Sequence, residues 1–125
     1  MTITTFNPFI DTAHADELIK LFEELGFERR HKKDGIEIAD RSDTVFRMKD
    51  ENGFHLDILQ SDAVRPRDAV GIRMNVDDFD EALSILRAHG FKNVYGDDTV
   101  ATKTSKAAMM ISPSGFTISV IQHIK

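Results

Sequence analysis

Cysteine is absent from all 125 residues. Its absence excludes a disulfide framework, a thiol nucleophile and any cysteine-based zinc site. No apolar run approaches the ~20 residues of a membrane-spanning helix, so no membrane partner is expected. Met1–Thr5 lacks the basic-then-apolar order of a secretion signal, and a cytoplasmic location is the expectation. Positive charge is also scarce. Sixteen Lys and Arg against 21 Asp and Glu give a formal net charge of −5. No basic stripe is available to neutralise phosphates, so nucleic acid is not an expected partner. The longest basic run, Arg29-Arg30-His31-Lys32-Lys33, precedes Asp34-Gly35 and reads as a solvated turn after a helix. No Ser-His-Asp arrangement, Gly-rich phosphate loop or nucleotide fingerprint occurs.

What is present is ordinary globular composition, 41% hydrophobic and 30% charged, in a length that suits one compact domain. The most informative stretch is Asn52–Gln60, N-G-F-H-L-D-I-L-Q. Asn52-Gly53 is a tight-turn pair, and the residues after it alternate. Phe54, Leu56 and Ile58 share one strand face; His55, Asp57 and Leu59 share the other. Ser114–Gln122, S-G-F-T-I-S-V-I-Q, repeats the stretch. Gly53/Gly115, Phe54/Phe116, Leu56/Ile118, Ile58/Val120 and Gln60/Gln122 stand in step, 62 residues apart.

From the start of the chain, Thr2–Thr12 reads as a strand, with Phe6, Pro8 and Ile10 on one face and Asn7, Phe9 and Asp11 on the other. Pro8 lacks an amide donor and suggests an edge or an irregular start. Ala15–Leu25 reads as an amphipathic helix, its apolar stripe Leu18, Leu21, Phe22 and Leu25, ended by Gly26. Ile36–Asp40, Thr44–Lys49 and Phe54–Gln60 read as strands. Ser61–Asp68, broken by Pro66, reads as a linker. The series then restarts. Val70–Val76 is a strand with Val70, Ile72, Met74 and Val76 inward. Asp78 with Glu81 is a capping-box start to a helix that runs to about His89 and stops at Gly90. Strands follow near Lys92–Tyr95, Ala101–Ser105, Ala107–Ser112 and Phe116–His123.

Asp16-Glu17 and Gly26-Phe27 match Asp80-Glu81 and Gly90-Phe91 at an offset of 64, so two residues are lost before the later match at 62. Each half is strand, helix, then three strands. Two such copies cannot stack as a solenoid; two βαβββ units in one α+β domain are the better account, with helices on one sheet face and the other face free. Module 1 covers about 1–62 and module 2 about 68–125. The free face gathers Asn7, Phe9, Asp11, His55, Asp57, Leu59, Gly71, Arg73, Asn75, Thr117, Ser119 and Ile121.

Paired βαβββ modules, with F-E-E-L-G-F-E (Phe22–Glu28), N-G-F-H-L-D-I and S-P-S-G-F-T-I-S-V in this order, resemble the vicinal oxygen chelate superfamily. That group includes glyoxalase I, extradiol dioxygenases, fosfomycin-resistance enzymes, methylmalonyl-CoA epimerase and bleomycin-resistance binding proteins. The resemblance spans nearly the whole chain. It implies a cup-shaped mixed β-sheet with helices on the outer face, and a homodimer. In the metal-dependent members each module offers one ligand early in its first strand and one midway along its last. On this chain those positions are Asn7 and Gly71, then Asp57 and Ser119. Only Asp57 is a good ligand, and Gly71 has no side chain.

The resemblance therefore implies first a small-molecule-binding protein lacking the full metal site, with no cofactor. The second reading is a metal-dependent lyase, isomerase or dioxygenase with a rearranged divalent-metal site of Asp57, His55 and Asn7 or Asp11; His-x-Asp on one strand face brings both side chains within reach of one ion. The third is a module with only a structural or partner-binding role. The candidate ligand contacts are Asn7, Phe9, Asp11, Arg47, His55, Asp57, Arg73, Asn75 and Ser119. Asp57 and Arg73 form an ion pair in one reading, structural or ligand-orienting; Arg73 takes an anionic group in the other. The face of Arg47 is open, because Val45 shares its side and Phe46 and Met48 oppose it. Phe9 is the stacking candidate, with a packing role the alternative. His14 stands where Asp78 stands and reads as a helix-start residue; His31, His89 and His123 read as exposed. Of Met109 and Met110, one belongs to the core.

Overall fold

A computed structural model describes residues 1–38, 41–61, 67–94, 96, 100–101 and 105–124. The chain divides into two compact units, Asn7–Val70 and Gly71–Lys125, the latter joined by Met1–Phe6. Both are α+β, and each carries the strand–helix–strands order read from the repeat. Among the described residues no helix is long and apolar enough to cross a membrane.

The first unit contains β1 (Ile3–Thr12, whose first residues belong to the second unit), α1 (Ala15–Glu24), β2 (Glu28–Ile38), β3 (Arg41–Lys49) and β4 (His55–Gln60). The strand order is β2-β3-β4-β1. The hairpin pairs β2/β3 and β3/β4 are antiparallel, whereas β1 lies parallel to β4. Alternation sets the core. Ile10 on β1, Phe46 and Met48 on β3, and Leu56 and Ile58 on β4 all pack with Ala15, Leu18, Ile19 and Phe22 of α1. The buried stripe of α1 is therefore rotated from the expected one. Leu21 and Leu25 are exposed, and Ala15 and Ile19 are buried in their place.

The second unit contains β5 (Ala69–Val76), α2 (Phe79–Ala88), β6 (Lys92–Asn93), β7 (Val100–Ala101), β8 (Ser105–Ile111) and β9 (Thr117–His123). Its order is β5-β9-β8-β6, with β7 also paired to β8, and β5 parallel to β9. Met74, Val76, Ala108, Met110 and Val120 pack on Phe79, Ala82 and Leu83 of α2. Met110 is the core member of the Met109-Met110 pair. Val70 is 63% exposed, so the expected inward row begins later on β5. Thr2 and Asp77 tie the first residues to this unit: the Thr2 N–H donates to Asp77 Oδ1 at 2.6 Å, and the Asp77 N–H donates to the Thr2 carbonyl.

The repeat is visible in its hydrogen bonds. Gln60 and Gln122, 62 residues apart, do the same work in their units. Gln60 Oε1 accepts from the first helical N–H, Ala15, at 2.9 Å, and its Nε2 donates to the Ala13 carbonyl. Gln122 Oε1 accepts from Phe79 N–H at 2.8 Å, and its Nε2 donates to the Asp77 carbonyl. One orphan donor of each helix start is thereby satisfied from the last strand. Asp78 caps α2 in addition, accepting from Glu81 N–H at 3.0 Å. His14 occupies the equivalent position on α1 without a side-chain cap bond. Both helices end at a glycine with positive φ, Gly26 and Gly90, after which Phe27 and Phe91 N–H close back on the Phe22 and Leu86 carbonyls.

Two further expectations change. The basic run Arg29–Lys33 is strand, not turn: it lies in β2, paired to β3 from Glu28↔Lys49 onward with two register shifts. Strand Ile36–Asp40 is the end of that same element, with residues 39–40 outside the described ones. Of Ala101–Ser105, only the ends are described, Ala101 in β7 and Ser105 in β8. Residues 62–66 of the expected linker and Tyr95 also fall outside the described residues.

Candidate functional site

Because α1 takes up one face of β3, β4 and β1, the opposite parity collects the chemistry-bearing side chains of the first unit. In register, Phe9 on β1 stands beside Asp57 on β4, and Asp57 stands beside Arg47 on β3. The three form one row across three strands. The face of Arg47, open in the sequence, is settled by this row: its Nη1 donates to Asp57 Oδ2 at 2.9 Å. Arg47 is thus a cation on the Asp57 carboxylate, a partner that the sequence had left open. The pair is asymmetric, with the Asp57 side chain 5% exposed and that of Arg47 24%. Burial of a carboxylate is costly, and a charge-assisted bond to guanidinium offsets it.

Asn7 and Asp11 flank Phe9 on the same face of β1, and all three are buried. Asn7 Nδ2 donates to the Pro8 carbonyl at 2.9 Å. His55 begins β4 on the Asp57 side, exposed, opposite Lys49. The structure therefore brings together on one face of the first unit six of the sequence candidates: Asn7, Phe9, Asp11, Arg47, His55 and Asp57. It adds Lys49, which sequence reasoning missed although it stands two residues from Arg47 and so shares its face.

The second unit holds the remaining three. Arg73 on β5 stands opposite Ser119 on β9, and Ser119 opposite Met109 on β8. By the 64 and 62 offsets this row is the counterpart of Phe9–Asp57–Arg47. Arg73 Nη1 donates to Asn75 Oδ1 at 3.3 Å, and both residues are buried. Apart from these, an open groove of about 460 Å³ at the end of α2 is lined by Arg87, Phe91, Lys92, Asn93 and Gly96.

A divalent ion of the kind the fold family uses needs three or four nitrogen or oxygen ligands. Of the four ligand positions that the resemblance implies, one carries a carboxylate. At the four ligand positions, Asp57 is engaged by a guanidinium, the Asn7 amide nitrogen faces a carbonyl, Ser119 offers a hydroxyl, and Gly71 offers nothing. Among the described residues, no group of three or more His, Cys, Asp or Glu is placed to hold a metal.

No family model and no curated protein matches the chain. Solved structures do. Methylmalonyl-CoA epimerase from Mycobacterium tuberculosis aligns over 96% of this chain and 88% of its own, at 15% identity and a TM-score of 0.69. A variant of glyoxalase I from Zea mays aligns over 97% of this chain and 43% of its own, at 15% identity and a TM-score of 0.68. A variant of 4-hydroxymandelate synthase from Streptomyces coelicolor aligns over 98% of this chain and 48% of its own, at 10% identity and a TM-score of 0.59. The chain spans less than half the length of these last two. The chain shares its fold with these three structures.

Proposed function

We propose that this protein is a small-molecule-binding protein of the glyoxalase/bleomycin-resistance-like type that works without the superfamily's metal. One observation carries the reading: the strongest metal donor at the four ligand positions, Asp57, has its carboxylate on the Arg47 guanidinium at 2.9 Å. A fixed positive charge at that distance opposes a divalent cation on the same oxygens. The polar face remains, with Asn7, Asp11 and Asp57 buried on it. Asn7, Phe9, Asp11, Arg47, His55 and Asp57 are the proposed ligand contacts of the first unit, and Arg73, Asn75 and Ser119 those of the second. A small-molecule ligand agrees with the names of the structural neighbours, one of which is an epimerase of methylmalonyl-CoA. The reading is completed by a cytoplasmic homodimer with no nucleic-acid or membrane partner.

Elemental analysis of untagged protein purified without chelator, with Asp57→Ala alongside, tests the proposal. The expected result is no stoichiometric metal in either protein, with a thermal-shift screen then returning ligands. A ligand at ~100 times its dissociation constant adds about 2.7 kcal/mol of stability. Near-stoichiometric metal that disappears in Asp57→Ala overturns the reading and points to the rearranged metal site.

A further inference from the structure

Two adjacent cross-strand pairs of β3 and β4, Arg47↔Asp57 and Lys49↔His55, lie on the face turned away from α1. On the other side of Lys49, β2 places Glu28. Glu28 is held by Arg30 at 3.2 Å, as Asp57 is held by Arg47. Glu28 and Asp57 are thus each answered by an arginine, while the Asp50 carboxylate of the turn after Lys49 accepts from the Asn52 and Phe54 N–H groups. Lys49 and His55 stand opposite one another, a pairing of two cation-forming side chains that a ladder disfavours when both are charged. In a chain with a net charge of −5, Arg47, Lys49 and His55 stand next to one another on this face. The exposure gradient has the same sense. Asp57 is buried, the Arg47 side chain is partly exposed, Lys49 is half-buried and His55 is exposed. A guanidinium has five N–H donors in a rigid fork, and the Asp57 bond uses Nη1. Arg47 and Lys49 offer positive charge and N–H donors on this face, Arg47 anchored by the buried Asp57 carboxylate.

We infer that the ligand taken by this face carries an oxyanion, a phosphoryl or carboxylate group, bound by Arg47, Lys49 and His55, with Asp57 acting as the positioning residue of Arg47. The inference rests on the small-molecule-binding reading and specifies its ligand class. A bidentate contact from Arg47 fixes the plane of the oxyanion, and Lys49 adds a point charge.

The test is a backbone-amide NMR titration of the whole chain with phenylphosphonate, benzoate, benzyl alcohol and benzylamine, repeated on Lys49→Gln and Arg47→Gln. The two acids separate a phosphoryl from a carboxylate preference. Saturable shifts at Arg47, Lys49 and His55 with at least one acid are expected, weakened roughly tenfold or more in each variant, as loss of a charge-assisted bond predicts. Lys49→Gln changes a half-buried residue outside the Arg47–Asp57 bond and keeps the test decisive should Arg47→Gln unfold. Equal affinity in Lys49→Gln and wild type overturns the inference. Binding of benzylamine or benzyl alcohol on this face, with neither acid bound, overturns it while leaving the small-molecule reading intact. No binding by these probes or by any compound of the thermal-shift screen overturns both.

Discussion

Replacing Gln60 by alanine should destabilise the protein more than replacing Gln122, although both remove the same two helix-start hydrogen bonds and Gln60 adds only a long one, 3.4 Å, to the Ser61 carbonyl. Each glutamine accepts from a helix's first N–H at 2.8–2.9 Å and donates to a carbonyl of the preceding loop at 2.9–3.0 Å. A typical intramolecular hydrogen bond contributes about 0.5–1.5 kcal/mol, so two are worth roughly 1–3 kcal/mol. Both glutamines are only half-buried, so water recovers part of the loss. The difference lies in what each helix keeps. Without Gln122, α2 retains the Asp78 cap on Glu81 N–H. Without Gln60, α1 has no side-chain cap from His14 to fall back on. A cap is worth about 1 kcal/mol. The expected costs are therefore about 2 kcal/mol for Gln60→Ala and about 1 kcal/mol for Gln122→Ala. Urea denaturation followed by far-ultraviolet circular dichroism, read as a midpoint shift at constant slope, measures both. A Gln122→Ala cost equal to or above that of Gln60→Ala would refute the reasoning. In the Asp78→Ala background the order should close up or reverse, because α2 then loses its reserve.

Further outcomes follow from the packing. Gly90→Ala should cost distinctly more than Gly26→Ala, since both need positive φ but a Cβ at Gly90 meets Pro113 Cγ at 2.9 Å and one at Gly26 meets nothing within 4 Å; paired denaturation curves read the difference. Met110→Ala and Ile58→Ala, each at a fully buried position, should cost about 2–5 kcal/mol, while Leu25→Ala on the exposed flank of α1 should stay within about 0.5 kcal/mol. Asp78→Ala alone should cost about 1 kcal/mol through loss of the α2 cap, seen as a melting-temperature drop of roughly 3–5 °C.

The modular order was legible because duplication makes weak signals agree. Gly26 and Gly90, Gln60 and Gln122, and Phe54 and Phe116 recur in step, and each pair marks a corresponding place in its unit. The polar face was legible because a period of two is rigid: once Leu56 and Ile58 face α1, His55 and Asp57 face away. Partners across strands were not legible. Asp57 meets Arg47 through a register set by the Asp50–Phe54 turn, where the Asp50 carboxylate accepts from the Asn52 and Phe54 N–H groups. No local pattern names the residue opposite. The basic run was misread because long cations hide a strand: their charge resembles a solvated turn, while their stems suit a strand equally well. The phase of α1 was misread because Leu21 and Leu25 outweighed Ala15 and Ile19, although small and branched residues sit closest to a sheet.

The parallel pairing of first and last strands has a consequence for the order of folding. The β3/β4 and β8/β9 pairs join neighbours in sequence, across short turns that close locally. Phe9 reaches Asp57, and Arg73 reaches Ser119, only after everything between them has been laid out. Such contacts carry the largest loop-closure entropy and slow the search. Strands β1 and β5 are therefore the last to dock. Substitutions in them should leave the folding rate nearly unchanged and accelerate unfolding, while those in the local hairpins should slow folding.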